Sequence, residues 1–213
     1  MSKTPKKLWF FICLILFSSV AMDQWTKSVA EKYLMVWESP DNVSYYEGRR
    51  HHLATWGKED SLNPEKSFYV SFAFNYVRNQ GAAWGLFSNL KENIRTPLFH
   101  LITILATLLI LFYWRSTPSY YYLARFALLL IFSGAIGNFA DRFRRGFVVD
   151  FLDVSWSIPL PVSLDFSLGG FVLKASHWAY DFPKFNWADS CITVGVTLLL
   201  IDMIFFEPKR TKR

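Results

Sequence analysis

Four long apolar blocks, separated by charged or turn-rich stretches, constrain what this chain can fold into more than any other feature. They occupy residues 8–22, 98–114, 120–140 and 187–206. The last three come close to the roughly 20 residues that an α-helix needs to cross the hydrocarbon core. The first reaches that length if an amphipathic end carries the helix on to about residue 30. A soluble domain spreads its apolar residues over many half-buried faces, whereas here they are gathered into spans. Apolar residues reach 52% and aromatics 19% of the 213 residues, both high for a soluble chain of this size. The expectation is a single membrane domain with helices at about 8–30, 97–114, 120–141 and 187–206, Pro97 opening the second.

The flanking charges orient these spans. Lys3, Lys6 and Lys7 precede the first block, and Lys209, Arg210, Lys212 and Arg213 follow the last. Arg115 lies in the short 115–119 link, and Arg125 just beyond can snorkel towards it. Basic flanks of this kind mark the cytoplasmic side, so both termini are expected there and segments 31–96 and 142–186 outside. Arg49-Arg50 and Arg144-Arg145 run against that rule, though long translocated loops obey it weakly. The net charge of +6 follows from these anchors rather than from a basic face, which argues against nucleic acid as a partner. Taken alone, the Lys-rich front and Ser19-Val20-Ala21 would suit a cleaved signal peptide equally well. The three later blocks, and DQWTK at 23–27, favour a retained helix. Cys13 and Cys191 lie inside apolar blocks and offer no disulfide or zinc framework; both are expected as small buried hydrophobes.

The outer segments are uneven. Residues 40–66 are polar and turn-rich and predict an inserted loop; residues 67–78 are aromatic and β-branched and predict a strand. Residues 157–180 predict short strands and turns. The fold class is therefore four transmembrane helices with a small extracytoplasmic β-sheet and an outer loop insertion.

Ionisable and amide residues are costly at membrane depth, and here they gather at the outer helix ends. Asp23 and Lys27 close the first helix; Asn138, Asp141 and Arg142 close the third, on one face at i, i+3 and i+4; Asp150 follows; Asn186 and Asp189 open the fourth. Two carboxylates meeting in a partly dry site share a proton, so one activates water while the other donates, as aspartic peptidases require. Each residue also has a plainer use. Asp189 could charge a helix N-terminus, Asp141 and Arg142 could form an interfacial ion pair, and Asp23 could fix the first helix. Asp202, near the cytoplasmic end, is expected as an interface residue. His51, His52, His100 and His177 form no HExxH pattern, no GxSxG elbow is present, and Ser28 beside Lys27 cannot face it on a helix. Gly81-Ala82-Ala83 lacks the lysine of a phosphate loop and suits a close backbone approach instead.

Five stretches in order, DQWTK at 23–27, RNQGAAWGLF at 78–87, GAIGNFADR at 134–142, GFVVDFLD at 146–153 and FNWADSCITVG at 185–195, resemble the bacterial lipoprotein signal peptidases, or signal peptidase II. The likeness covers nearly the whole chain. It implies catalytic aspartates at Asp150 and Asp189, and site neighbours at Asp23, Lys27, Asn79, Gly81, Asn138, Asp141, Arg142 and Asn186. It implies a β-cradle over residues 67–90, no metal or organic cofactor, and inhibition by globomycin-type peptides. The implied substrate is a prolipoprotein whose lipobox cysteine carries a diacylglyceryl group, cut just before that cysteine by a monomer lying among the lipids of the inner membrane. The 40–66 and 157–180 stretches are longer than the family's usual ones and leave Asp150 and Asp189 39 positions apart. Two readings compete: an inactive lipoprotein-binding scaffold, and a proton-coupled transporter, which would want carboxylates through the full membrane depth.

Overall fold

The computed structural model of the chain describes residues 6–36, 46–58, 67–80, 90–168 and 171–207. Four helices and four strands follow one another as α1 (Lys6–Leu34), β1 (Tyr46–Lys58), β2 (Phe68–Asn79), α2 (Glu92–Ser116), α3 (Tyr122–Arg145), β3 (Val148–Leu168), β4 (Phe171–Asp181) and α4 (Trp187–Ile201), the last continuing as a π-helical turn over Asp202–Phe206.

Three helical stretches among the described residues are long and apolar enough to cross a membrane: Asn93–Ser116, Tyr122–Arg145 and Trp187–Phe206. Their outer faces carry Leu101, Leu105, Leu108, Phe112, Val194 and Leu200, all exposed. Such a surface would be a liability in water and is the ordinary one against lipid. Helices α3 and α4 pack most closely, with a Cβ on Gly134 meeting the Ala188 carbonyl and one on Gly195 meeting that of Ala127. Polar bonds join α1 to the pair: Ser19 donates to Ser133 at 3.1 Å, and the Trp187 indole donates to Ser19 at 3.3 Å. With 29 residues, α1 is about 43 Å long at ~1.5 Å per residue. Its last turns meet the sheet.

The sheet is an antiparallel meander in the order β1-β2-β3-β4. Gly146, in the left-handed conformation at φ 78°, ends α3 by donating its N–H to Arg142 O at 3.0 Å and turns the chain directly into β3. In the β2–β3 ladder Val77 stands opposite Asp150 and Asn79 opposite Val148, beyond a register shift after Phe74. Phe185 then pairs with Leu152, so the approach to α4 lies beside β3.

Four expectations need correction. The polar 40–66 stretch is not a plain loop, since β1 lies within it; as an edge strand it tolerates charge, and Arg50 spends its own on Asp153 at 2.9 Å. The 157–180 stretch is not a set of short strands and turns but the outer part of one long hairpin, β3–β4. Pro97 lies inside α2 rather than at its start. It sits near enough to the N-terminus to cost a single bond, and the Lys91 carbonyl secures the first turn by accepting from Ile94 and Arg95. Cys13, expected buried, is exposed, whereas Cys191 is buried; Asp202 is buried within the chain.

Candidate active site

Lys27 occupies the centre of a fully buried ion network. Its ammonium has three protons and three acceptors: Asp23 Oδ2 at 2.9 Å, Asp141 Oδ2 at 3.0 Å and Asn138 Oδ1 at 3.0 Å. A buried cation is tolerable only when it is paired and fully hydrogen-bonded, and this one is. Asp23 also accepts the Ala188 backbone N–H at 3.0 Å, fastening α1 to the first turn of α4. Asp141 accepts from Arg145 at 2.8 Å and from the Val149 N–H at 3.2 Å, fastening α3 to β3. The network thus locks the elements that carry the remaining site residues.

Two asparagines extend it to Asp150 and Asp189. Asn138 turns its carbonyl to Lys27 and donates from Nδ2 to Asp189 Oδ1 at 2.7 Å. Asn186 donates to Asn138 Oδ1 at 3.2 Å and to Asp150 Oδ1 at 2.7 Å. Asn186 is also the N-cap of α4, accepting the Asp189 N–H at 3.0 Å while Asp189 Oδ2 accepts the Asn186 N–H at 3.2 Å, a reciprocal capping box. The helix start that orients Asp189 is therefore built from the residue that holds Asp150. Asn79, two positions beyond Val77 and so on the same face as Asp150, donates to Asp150 Oδ2 at 2.8 Å.

Asp150 is 2% exposed. Burial, and after it the negative charge of Asp189, push its carboxyl up to about 8, against the opposing hydrogen bonds of Asn79 and Asn186 and the charge of Lys27. Arg142 lies within electrostatic reach of Asp189, Asp150 and Asp141, its guanidinium 4.7 Å over the Phe99 ring. The arrangement can hold one proton between two carboxyls, with asparagine donors on all four of their oxygens and a cation at hand. No cluster of three or more His, Cys, Asp or Glu that could hold a metal ion occurs among the described residues. A cavity of about 450 Å³ lies elsewhere, between α1 and the sheet, walled by Val29, Leu34, Phe74 and Phe151 and touching neither carboxyl.

The comparisons decide what kind of protein carries this geometry. The family profile described as Signal peptidase (SPase) II matches residues 15–205. The chain belongs to the signal peptidase II family. It is 34% identical over 206 residues to the lipoprotein signal peptidase of Anaeromyxobacter sp. (strain Fw109-5), covering 94% of this chain and 87% of that one. It is 30% identical over 203 residues to the lipoprotein signal peptidase of Staphylococcus carnosus, covering 94% and 96%. A solved structure described as a bacterial membrane enzyme determined by the in meso method at 2.3 Å resembles it with a TM-score of 0.58 and 28% identity, over 92% of this chain and 88% of that one. A second, at 1.9 Å, gives 0.57 over 92% and 94%. This signal peptidase II is a membrane-integral protease of the aspartic type.

Of the residues singled out from the sequence, Asp23, Lys27, Asn79, Asn138, Asp141, Asn186, Asp150 and Asp189 join one hydrogen-bonded set, and Arg142 stands beside it. Gly81 lies outside the described residues. Gln24 was missed. Its amide donates to Asp141 Oδ1 at 3.0 Å, to Asp23 Oδ2 at 3.1 Å and to the Gly137 carbonyl at 3.2 Å, bracing both carboxylates. Its position inside DQWTK was the available signal. Arg145 was missed as well; it bridges Asp141 and Glu31, the latter at 3.1 Å. Arg50 pairs likewise with Asp153, so two of the four arginines that run against the expected charge bias neutralise carboxylates of the fold.

Proposed function

We propose that Asp150 and Asp189 form the catalytic pair of a signal peptidase that removes the signal peptide from diacylglyceryl-modified prolipoproteins, cutting before the lipid-bearing cysteine. The observation that carries this reading is the Asp150–Asn186–Asn138–Asp189 chain of hydrogen bonds, which ties a buried carboxyl to a half-buried one and anchors both through asparagine donors. One carboxylate takes a proton from water as the water oxygen attacks the scissile carbonyl carbon. The other, protonated, donates to the carbonyl oxygen. When the tetrahedral intermediate collapses, the C–N bond breaks and the new amine takes the proton held by the pair. The proton belongs to the pair rather than to either residue. Asn79, Asn138 and Asn186 orient the carboxyls, and Arg142 binds substrate backbone.

In the same reading α1 is a fourth span, both termini face the cytoplasm, and the pair lies near the outer surface of a bacterial inner membrane. What supports this is the placing of Asp23 and Lys27 in the C-terminal half of α1 and of Asn138 and Asp141 in the last two turns of α3, away from the short α2–α3 link, together with the entry of α4 at Asn186. The acyl chains of the substrate then remain in lipid while the scissile bond reaches a site sheltered from bulk water. A monomer suffices, since every carboxyl and amide of the pair comes from one chain.

A gel-shift assay tests the assignment, using purified protein, a diacylglyceryl-modified prolipoprotein, and the Asp150→Asn and Asp189→Asn variants. Cleavage by the native protein alone is the expected result. Activity retained by either variant removes that residue from the catalytic pair.

A further inference from the structure

The helix α2 places no residue in the carboxylate network described above, yet one of its faces touches that network's surroundings twice. Phe99 lies under the Arg142 guanidinium, and Arg95, one turn earlier on the same face, reaches the end of β2. Arg95 is 5% exposed. Its Nη2 donates to Gln80 Oε1 at 2.7 Å, and its Nη1 donates to the Leu90 carbonyl at 3.5 Å. A buried guanidinium is costly unless its rigid fork of donors is used, and here it is used on the residue that follows Asn79.

That position matters because the ladder stops there. Asn79, opposite Val148, is the last paired residue of β2, and its amide is one of two that hold Asp150. Among the described residues the ladder does not continue past it, so the conformation at residues 79 and 80 answers to what grips Gln80. We propose that Arg95 is a positioning residue: by clamping Gln80 it aims the Asn79 amide at Asp150 Oδ2, and so sets the geometry of the pair from a helix that touches neither carboxyl. This inference rests on the assignment of Asp150 to the catalytic pair.

The test is a set of pH–rate profiles on detergent-purified full-length enzyme with a diacylglyceryl-modified prolipoprotein, comparing native protein, Arg95→Gln, Gln80→Ala, Asn79→Ala and the Arg95→Gln/Asn79→Ala double variant. The Asn79 amide favours the ionised carboxylate, so weakening that bond moves the alkaline limb of the profile upward, while Asp189, Lys27 and Arg142, the charged groups facing Asp150 from α4, α1 and α3, remain in place. Arg95→Gln and Gln80→Ala are expected to lower kcat about tenfold with KM nearly unchanged, and to shift that limb in the same direction as Asn79→Ala. The double variant is expected to be no worse than Asn79→Ala alone, because both changes remove one interaction. If Arg95→Gln proves unstable, Gln80→Ala breaks the same bond from the half-buried, uncharged partner and carries the decision. An unshifted limb in Gln80→Ala, or losses that multiply in the double variant, overturns the proposal. Asp150→Asn, assayed alongside, separates this failure from that of the catalytic assignment, since activity in that variant would overturn the latter.

Discussion

Nδ2 of Asn186 lies 2.7 Å from Oδ1 of Asp150, a residue 36 positions earlier in the chain. The same side chain caps α4, so a single asparagine starts the helix that carries one carboxyl and grips the other. Asn186→Ala is expected to cost about 1 kcal/mol of stability through the cap. It should also lower kcat by roughly ten- to a hundredfold through the lost bond to a charged group. Asn186→Asp keeps the cap but sets a third carboxyl against the pair, and is expected to be as inactive while more stable than the alanine variant. Thermal unfolding in detergent and single-turnover cleavage separate the two effects.

Lys27→Met leaves Asp23 and Asp141 buried beside a thioether, with one of their cations gone. Breaking a buried ion network from one side costs about 3–5 kcal/mol, so this variant should unfold well below the native protein. A double variant that also converts Asp23 to Leu is expected to regain part of that loss, because it removes one unpaired charge. Differential scanning fluorimetry on the purified proteins measures both.

At Gly137 a methyl group would stand 2.5 Å from Asp23 Oδ2 and 3.1 Å from Ala188 Cβ. Asp23 cannot give way without releasing Lys27 and the Ala188 N–H. Gly137→Ala is therefore expected to lower both unfolding temperature and kcat, although alanine is the better helix former. An active, native-like Gly137→Ala protein would show that α1 can shift outward at no cost to the site.

The shared proton sets an upper pH for activity. With Asp150 pushed up to about 8, the pair keeps its proton at neutral pH and loses it as pH rises through that value. kcat/KM is accordingly expected to decline above about pH 8, and the decline should move lower if the surroundings of Asp150 are made wetter by Val148→Ser, on the same face of β3. A pH–rate series in buffers of constant ionic strength checks the position of the limb and the direction of the shift.

The helical frame was legible because apolar runs of this length leave few alternatives, and the gathering of carboxylates and amides into one set was legible from their places near the helix ends. The sheet was less so. β2, with SFYVSF, has the composition of a strand, but β1 holds Arg49-Arg50-His51-His52, and its strand identity depends on Asp153 two strands away in the sheet. The bonding roles within the site were illegible for a similar reason. That Asp141 would pair with Lys27 and Arg145 while its neighbour Arg142 covers Phe99 depends on which face of α3 meets α1, and spacing alone leaves that open. Gln24 sits between two predicted site residues, but nothing in its side chain announces three acceptors.

The pairing of Phe185 with Leu152, through N–H···O bonds of 2.8 and 3.1 Å, closes the long hairpin two residues beyond Asp150 and four before Asp189. Chain closed off in this way costs little more as it lengthens, since doubling a loop adds only about 0.6 kcal/mol. The arm beyond Ser155 and Asp181 is thus mechanically insulated: its length can change while the carboxyl site keeps its dimensions. That makes the arm a natural grafting point, where residues that meet the exported protein can be exchanged without retuning the hydrolytic machinery.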